Sequence, residues 1–387
     1  MINISKLYCS KSGQSDELRY SADDSSGPVA VFNCTNRCNL NCVHCYSGSS
    51  ATETSDELTT AQVKKLLAGL ADVKSPVVLF SGGEPLLRED LFELLSEANN
   101  RGLRTVLSTN GTLISSDIAK RLAEKSVSYI GISIDGNESF HDSFRKSGGS
   151  FEAALAGIKN CTTAGIRTGL RFTITKQNAN YVPFIFELAS KEGIRRICFY
   201  HLVRCGRASS LDGQTPSTLQ SRKIVDAIIE KTAEYVDRGL LDEVLTVGNH
   251  CDGPFLLLRM QKEAENLKLK TQNYKKAEEL LRINGGNRIG EKIVCISWDG
   301  NVYPDQFWRN YSLGNIREKT FPEIWNNSSE PVLNKLRNKS KFADKRCLTC
   351  CWFDFCKGNY RFLGPDPAEK NWLLEPACYL ADDEIKK

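Results

Sequence analysis

The chain has 387 residues, of which 41% are hydrophobic, so it is long enough to bury a sizeable core in two or three packed units. Its 51 Lys and Arg residues nearly balance 47 Asp and Glu residues, and a net charge of +4 over this length argues against a nucleic-acid-binding protein. No apolar run reaches the roughly 18 residues of a membrane-spanning helix, and residues 1–10 lack the basic and apolar regions of a signal peptide. We therefore expect a cytoplasmic protein that binds neither nucleic acid nor a membrane.

The cysteine content is unusual, because the chain contains 15 cysteines. Disulfide-rich chains are mostly small secreted domains, whereas clustered cysteines in a large cytoplasmic protein more often hold metal. The cysteines here concentrate in two places, residues 34–45 and residues 347–378. The pattern predicts two metal centres rather than a disulfide framework.

Short β-rich segments alternate with amphipathic helical segments over the first half of the chain. The predicted strands are mostly apolar on both faces, as buried parallel strands are; they are residues 29–32, 77–80, 105–108, 129–134, 170–174 and 197–201. Thr59 and Gln62 form a capping box before one of the helices. Six such units predict an α/β fold, a partial (β/α)6 TIM-like barrel, with its ligand chemistry at the carboxyl ends of the strands.

The pattern changes after residue 210. Residues 215–239 and 253–284 read as long charged helices around a short strand at 244–247, and from Glu291 the chain becomes rich in Cys, Trp and Asn. We predict four regions: an N-terminal segment (1–27), the partial barrel (28–210), a helical connector (211–290) and a small C-terminal domain (291–387).

Three cysteines follow the first strand directly, in the order Cys38-x3-Cys42-x2-Cys45. Three thiolates at this spacing can bind three irons of a [4Fe–4S] cluster from one loop and leave the fourth iron open for another ligand. The alternative is zinc, which needs four ligands and would recruit Cys34 or His44. Cys34 is also compatible with a small buried core residue.

The loop resembles the signature of the radical S-adenosylmethionine (SAM) superfamily. This resemblance implies that S-adenosyl-L-methionine binds the open iron and that its reductive cleavage yields a 5′-deoxyadenosyl radical, so that the cofactors carry the difficult chemistry. The residue before the third cysteine is usually aromatic in the family. Here it is His44, which could pack on adenine.

The second predicted strand ends in Gly82-Gly83-Glu84. It resembles the family motif whose backbone and carboxylate receive the ammonium group of the methionine moiety. Glycine allows a close backbone approach, and Glu84 would supply a charge-assisted hydrogen bond. Taken alone, two glycines are only a turn signal.

The next strand ends carry further polar residues that resemble the family's cofactor contacts. Ser108 and Asn110 end strand three, and Ser133 and Asp135 end strand four, at positions that contact ribose and methionine in the family. Ordinary Asn-Gly and Asp-Gly turns are the alternative. Arg171 on strand five could meet the methionine carboxylate or could be a surface arginine.

The second group of cysteines resembles the C-terminal half of a SPASM domain. Two cysteines three apart and a third six further on can wrap one face of a cubane, and a fourth follows Pro376, which predicts a second, fully ligated [4Fe–4S] cluster on Cys347, Cys350, Cys356 and Cys378. Cys351 is expected to point away as a packed thiol.

The chain also departs from the full SPASM pattern. Cys295 matches the first motif cysteine, but Asp305 and Tyr360 occupy two later cysteine positions. The resemblance therefore implies a single-cluster, Twitch-like domain rather than a complete SPASM domain with two auxiliary clusters.

Similarity over nearly the whole chain points to the siroheme-modifying radical SAM enzymes of heme d1 synthesis and of the alternative heme pathway. It rests on segments such as residues 199–203, 245–250 and 304–308. The resemblance implies removal of acetate side chains from 12,18-didecarboxysiroheme to give iron-coproporphyrin III, with propionate removal in heme d1 synthesis as a near alternative. An external low-potential electron donor is implied as well.

Four residues are candidates for contact with this iron tetrapyrrole. Arg204 and Arg207 follow strand six, and guanidinium groups suit propionate carboxylates, although a solvated basic loop is the alternative. His201 and His250 could contact the substrate iron or could be hydrogen-bonded core histidines.

Two rival functions remain open. A peptide-modifying SPASM maturase often carries a long N-terminal leader-binding domain, and we expect none here, because only residues 1–28 precede the first strand. An electron-transfer or zinc-structured binding protein would have no use for residues 82–84 or Asp135. Detection of 5′-deoxyadenosine separates the enzyme from this second alternative.

Overall fold

The computed structural model describes residues 1–12, 16–21, 25–52, 56–267, 272–359 and 377–386. In these ranges a single mixed sheet contains eleven strands in the spatial order β1-β8-β7-β6-β5-β4-β3-β2-β9-β10-β11. The strands are β1 (Ile2–Asn3), β2 (Val29–Thr35), β3 (Val77–Gly82), β4 (Arg104–Thr109), β5 (Tyr129–Ser133), β6 (Thr168–Ile174), β7 (Arg196–His201), β8 (Glu243–Val247), β9 (Ile293–Ile296), β10 (Asn301–Tyr303) and β11 (Gly314–Asn315).

The described residues form sixteen α-helices, of which α3 to α9 lie between the parallel strands β2 to β8. They are α1 (Ile4–Leu7), α2 (Glu17–Tyr20), α3 (Thr60–Asp72), α4 (Leu91–Asn100), α5 (Ser116–Glu124), α6 (Glu138–Arg145), α7 (Ser150–Thr163), α8 (Val182–Lys191), α9 (Thr218–Asp237), α10 (Asp252–Leu267), α11 (Gln272–Asn284), α12 (Phe321–Trp325), α13 (Pro331–Arg337), α14 (Lys339–Phe342), α15 (Lys345–Leu348) and α16 (Phe353–Cys356). Thr59 and Gln62 form the predicted capping box of α3. The predicted helix at 253–284 is two helices, α10 and α11.

The α/β prediction is confirmed, and all seven predicted strands are present within three residues of their expected ends. Strands β2 to β8 are parallel neighbours in chain order, and parallel pairing across helical crossovers is the connection that this pattern favours. The carboxyl ends of these strands therefore lie along one edge of the curved sheet, where the predicted site residues follow them.

Side chains alternate between the two faces of each strand. One face packs on the helices and forms the main core, with residues such as Phe32, Phe80, Leu107 and Phe199 fully buried there. The opposite face lines the barrel interior, which the first cysteine loop and the strand ends cover at the carboxyl edge.

The sheet continues beyond the predicted barrel on both sides. Strand β8, in the predicted connector, pairs in parallel with β7, and β9, in the predicted C-terminal domain, pairs in parallel with β2. The C-terminal region therefore shares a backbone hydrogen-bonded sheet with the barrel, a long-range pairing that local sequence patterns do not reveal.

The N-terminal segment closes the far edge. Strand β1 pairs antiparallel with β8, and Arg19 of α2 forms an ion pair of 3.1 Å with the completely buried Glu243. Arg167 and Arg196 bind the same carboxylate at 2.7 and 3.0 Å. No helix of the described residues is long and apolar enough to cross a membrane.

Candidate functional site

The first cysteine loop (residues 38–45) begins directly after β2 and is held by backbone hydrogen bonds. Cys38 N donates to Ser50 O at 2.8 Å, which closes the loop on its own return segment. Val43 N donates to Phe144 O at 3.0 Å, which ties the loop to the end of α6. Cys38, Cys42 and Cys45 are all free thiols. The loop is thus a rigid support for three adjacent sulfur atoms.

Gly82 and Gly83 let the end of β3 approach this loop closely. Gly83 N donates to Thr35 O and Glu84 N donates to Arg37 O, both at 2.8 Å. A Cβ atom on Gly83 would overlap the Arg37 carbonyl group, and one on Gly82 would overlap Thr35 O. Gly82 also has a φ of +119°, which side-chain-bearing residues rarely adopt. The two glycines are therefore required by the junction between β3 and the cysteine loop.

Glu84 is completely buried and joins three strand ends. Its carboxylate accepts hydrogen bonds from Thr109 Oγ1 at 2.7 Å and from Asn110 N at 2.9 Å. Burial raises the pKa of Glu84, and these hydrogen bonds oppose the shift. The Asn110 side chain in turn donates to Asn39 Oδ1, inside the cysteine loop, at 2.9 Å. Glu84 and Asn110 thus connect the end of β4 to the loop.

Asp135 is the centre of a second buried network beneath the loop. Arg145 Nε donates to Asp135 Oδ2 at 2.6 Å, and Arg145 Nη1 lies 3.6 Å from Cys42 Sγ. Burial alone would raise the pKa of Asp135, but Arg145, His44 and His141 together lower that pKa. The Arg145–Asp135 pair places a cation beside one of the three thiols: burial raises the pKa of Cys42, and the Arg145 cation opposes that shift.

His44 is neutral and stacked. Its ring lies on Phe144 with centroids 4.3 Å apart and an interplanar angle of 14°. Burial lowers the pKa of His44 to about 4. Asp135 Oδ2 lies 4.0 Å from His44 Nε2. The His44 ring therefore packs as an aromatic residue at this position of the loop would.

Three further predicted residues face the barrel interior. Ser108, Ser133 and Arg171 alternate with buried core residues on β4, β5 and β6, so they lie on the face opposite the helices. Arg171 donates a hydrogen bond to the Tyr200 hydroxyl and lies 4.8 Å from the centroid of that ring. Arg171 is thus an interior cation, not the surface arginine that was the alternative.

The second cysteine set (Cys347, Cys350, Cys356 and Cys378) gathers around α15 and α16. Burial raises the pKa of Cys356 to about 12, and the three other thiols of the set are close enough to add to that shift. The structure therefore brings together all four cysteines that the spacing selected. Tyr360 and Pro376, which entered the sequence argument, lie outside the described residues.

Cys251 is a fifth thiol at this place, and sequence reasoning missed it. It is buried at the start of α10, and its hydrogen bond is the largest cause that lowers the pKa of Cys378 to about 6. Arg346 Nη1 lies 3.4 Å from Cys378 Sγ and acts in the same direction. Cys251 has no motif spacing, so only the fold could reveal it. Cys351 instead donates to Glu384 O at 3.7 Å.

Comparison with known proteins identifies the family. Residues 32–189 match the model of the radical SAM superfamily, and residues 288–351 match that of SPASM, an iron-sulfur cluster-binding domain. The chain is 46% identical over 400 residues to Fe-coproporphyrin III synthase of Methanosarcina barkeri, covering 100% of this chain and 99% of that protein. The chain belongs to the radical SAM superfamily.

Two further similarities agree with this assignment. The radical SAM chain is 36% identical over 358 residues to pre-heme d1 synthase of Dinoroseobacter shibae, covering 92% of this chain and 87% of that protein. The solved structure of anSMEcpe with bound AdoMet superposes with a TM-score of 0.67 at 19% identity, covering 90% of this chain and 93% of that one, which shows a shared fold.

The donor sets fit the cofactors of a radical SAM enzyme, which uses [4Fe–4S] clusters and S-adenosylmethionine. Three thiols on one loop, beside the Arg145 cation, suit a cluster with one open iron, and four thiols suit a closed one. Cys34 is fully buried and bonds to Ser81 O at 3.3 Å, as a small core residue does.

The arginines predicted to meet substrate in this radical SAM chain are already engaged. Arg207 donates to Cys42 O at 2.8 Å and to Ser49 O at 2.6 Å, so its guanidinium group supports the cysteine loop. The substrate contact of Arg207 stays a prediction. Arg204 is half exposed and pairs with Asp212 at 2.7 Å.

The two predicted histidines are both engaged within the chain. His201 Nε2 is 2.9 Å from Asp252 Oδ2, and Tyr379 donates to the other oxygen of that carboxylate at 2.6 Å. A cleft of about 340 Å³ adjoins His201 between β7 and α9. His250 N donates to Asn359 Oδ1 at 2.7 Å. The contacts of His201 are those of a hydrogen-bonded core histidine, the alternative stated for it above.

Proposed function

We propose that this radical SAM enzyme removes the acetate side chains of 12,18-didecarboxysiroheme and gives iron-coproporphyrin III. The observation that carries the proposal is the match to Fe-coproporphyrin III synthase, which extends over the whole of both chains. The relatives named for heme synthesis support an iron tetrapyrrole as the substrate class. We further propose that the enzyme works in the cytoplasm with an external low-potential electron donor.

In this proposal the first cysteine loop holds the catalytic cluster. When bound, the cluster and S-adenosylmethionine supply a carbon radical that abstracts a hydrogen atom from the substrate. Cys38, Cys42 and Cys45 act as ligands, and the Arg145–Asp135 pair stabilises the thiolate charge at Cys42. The loop's backbone contacts keep the three sulfur atoms in place without help from substrate.

The strand ends bind the methionine and ribose groups of S-adenosylmethionine. The backbone at Gly82 and Gly83 receives the ammonium group, and Arg171 in the barrel interior receives the carboxylate, which a guanidinium group binds well. Ser108, Ser133, Asn110 and Asp135 complete the contacts. Because the Glu84 carboxylate is buried and accepts three hydrogen bonds within the chain, we propose that it mainly positions these strand ends.

The second cysteine set holds a closed cluster that transfers electrons or positions substrate. Full ligation by Cys347, Cys350, Cys356 and Cys378 leaves no open iron for a second molecule of S-adenosylmethionine. We retain the predicted division into residues 1–27, 28–210, 211–290 and 291–387 as units of function, although one sheet runs through all four.

The test is anaerobic incubation of the reconstituted enzyme with 12,18-didecarboxysiroheme, S-adenosylmethionine and a reductant. We expect 5′-deoxyadenosine and a tetrapyrrole mass that corresponds to loss of two acetate groups. The match to pre-heme d1 synthase supports a second candidate, propionate removal. Loss of propionate groups would favour that candidate, and an unchanged substrate mass would reject both.

A further inference from the structure

The loop between β10 and β11 packs against the first cysteine loop. The Phe307 ring meets the ring of Tyr46, the neighbour of Cys45, with centroids 5.6 Å apart. Asp305 Oδ1 accepts hydrogen bonds from Phe307 N at 2.9 Å and from Trp308 N at 2.8 Å, which fold the loop tightly. A segment of the C-terminal region is thus fixed beside the catalytic cluster site.

Arg309 lies at the end of this folded segment, and one of its guanidinium nitrogens has no hydrogen-bond acceptor. It lies 4.9 Å from the ring centroid of Trp298 and 5.3 Å from that of Tyr303, and its Nη2 donates to Ser297 Oγ at 3.0 Å. Its Nη1 is buried and has no hydrogen-bond acceptor. Across the described ranges, no carboxylate lies within 4 Å of this cation. Gln306 Oε1, on the same loop, is also buried without a partner.

A buried charged donor without an acceptor is costly, and folded proteins rarely keep one. The aromatic rings hold the Arg309 side chain in one direction, so the open donor is pre-positioned. In contrast, Arg204 already pairs with a carboxylate, and Arg207 already donates hydrogen bonds to two carbonyl groups. The acceptor for Arg309 Nη1 therefore lies outside the residues that the structure describes.

The position of Arg309 in the fold indicates the class of ligand that this donor binds. Strand β9 runs parallel to β2, so Ser297, directly after β9, lies at the same carboxyl edge as the cysteine loop. Although β10 runs antiparallel to β9, the hydrogen bond from Arg309 to Ser297 Oγ brings Arg309 back to this edge. Asn33 Nδ2 on β2 lies 3.6 Å from Cys295 Sγ on β9. Burial raises the pKa of Cys295 to about 12, and the nearby Arg309 charge opposes that shift. Substrates of parallel β/α barrels bind at this edge.

We propose that Arg309 binds a carboxylate side chain of the tetrapyrrole at the mouth of the barrel, an inference that rests on the proposed function. A planar guanidinium group suits a carboxylate, with two parallel N–H donors. The C-terminal region would then contribute a substrate-binding residue as well as a cluster. Acetate and propionate groups share this chemistry, and either is a possible occupant.

The experiment measures Kd for the reconstituted enzyme without S-adenosylmethionine or reductant, so that nothing turns over. The probes are 12,18-didecarboxysiroheme and iron-coproporphyrin III, each followed by visible absorbance. Arg309→Gln should weaken binding on the order of tenfold, the factor expected for one charged hydrogen bond. Arg309→Lys should weaken it less, because the charge remains.

Arg337 provides a matched control in the same region. It also lies over a tryptophan, Trp325, at 5.1 Å, but its guanidinium group donates to Gly290 O at 3.1 Å and to Trp325 O at 2.7 Å. Arg337→Gln should therefore lower the Tm and leave both Kd values unchanged. Arg309→Gln should leave the Tm close to that of the wild type.

The outcomes separate this inference from the proposed function. Weaker binding of both probes assigns Arg309 to a propionate, and weaker binding of didecarboxysiroheme alone assigns it to an acetate. Tight wild-type binding with unchanged Kd in Arg309→Gln overturns the role of Arg309 only. A wild-type enzyme that binds neither tetrapyrrole overturns the proposed function and this inference with it.

Discussion

The two cysteine sites are built in different ways. The first cysteine loop is fixed by main-chain contacts with Ser50, Phe144 and the end of β3, all near the centre of the sheet. The second cysteine set lies around the short helices α15 and α16, where Asn287 N donates to Cys356 O at 2.9 Å, and a further thiol, Cys251, hydrogen-bonds to the sulfur of Cys378. The first site thus lies on a loop between strand ends of the sheet, and the second lies around short helices outside the barrel.

This difference suggests what each site is for. An open iron must present one vacant position to a cofactor, and rigid backbone keeps that position constant. A closed cluster has no such vacancy, and the hydrogen bonds at its sulfur atoms are a means of adjusting its potential. Substitutions that separate backbone support from side-chain support can break or sharpen the contrast.

The largest effect is expected for Cys42→Ala. The substitution removes a cluster ligand that the side chains on either side of position 42 cannot replace. Reductive cleavage of S-adenosylmethionine should therefore cease. The product 5′-deoxyadenosine measures this cleavage. Cys34→Ala is the control, since Cys34 bonds to Ser81 O and not to the cluster. Normal 5′-deoxyadenosine from Cys42→Ala would refute the assignment of the first site.

Cys378→Ala should remove the second cluster and lower the iron content by about four atoms per chain, the content of one cubane. The first cluster should remain, because its ligands lie on another loop. Cys295→Ala should change the iron content little, because Cys295 lies beside Asn33 on the barrel strands. The reverse result would show that the ligand set of the second cluster is wrong.

Gly83→Ala tests the backbone support of the first loop. The new Cβ would overlap the Arg37 carbonyl group, and overpacking of this kind costs about 1–3 kcal/mol. We expect a lower Tm and incomplete assembly of the first cluster, with the second cluster intact. Gly148→Ala is the matched control, because no atom lies within 4 Å of its added Cβ. Equal behaviour of the two variants would contradict the close approach.

Arg207→Ala should have the smallest effect of the four. Loss of the hydrogen bonds to Cys42 O and Ser49 O should destabilise the loop by about 2 kcal/mol, as for other hydrogen bonds to charged groups. The first cluster should then lose iron to a chelator faster than in the wild type. Arg204→Ala, which breaks an exposed ion pair worth less than about 1 kcal/mol, should not change that rate.

The sequence predicted the framework well because its signals are local. Buried parallel strands are apolar on both faces, and the capping box of α3 lies within four residues, so both can be read without knowing the fold. The pairing of β9 with β2 joins residues more than 250 positions apart and leaves no periodic signal. That pairing decides how the C-terminal region meets the barrel.

The same distinction holds for the site. The residue types at positions 38–45 and 82–84 could be recognised because their spacing is short and specific. The partners of the arginines could not be recognised from the sequence. Arg207 and Arg309 look alike there and differ only in the groups that the fold places beside them. Cys251 likewise became visible only through its neighbour Cys378.

The ends of the eleven-stranded sheet bear on how the enzyme behaves at high concentration. An open sheet exposes unpaired N–H and C=O groups at each edge, and such edges can recruit strands from other molecules. Among the strands that the structure describes, the outermost are β1 and β11, each only two residues long. So short an edge offers little template for intermolecular pairing. The protein should therefore resist aggregation through its sheet edges during anaerobic purification and reconstitution.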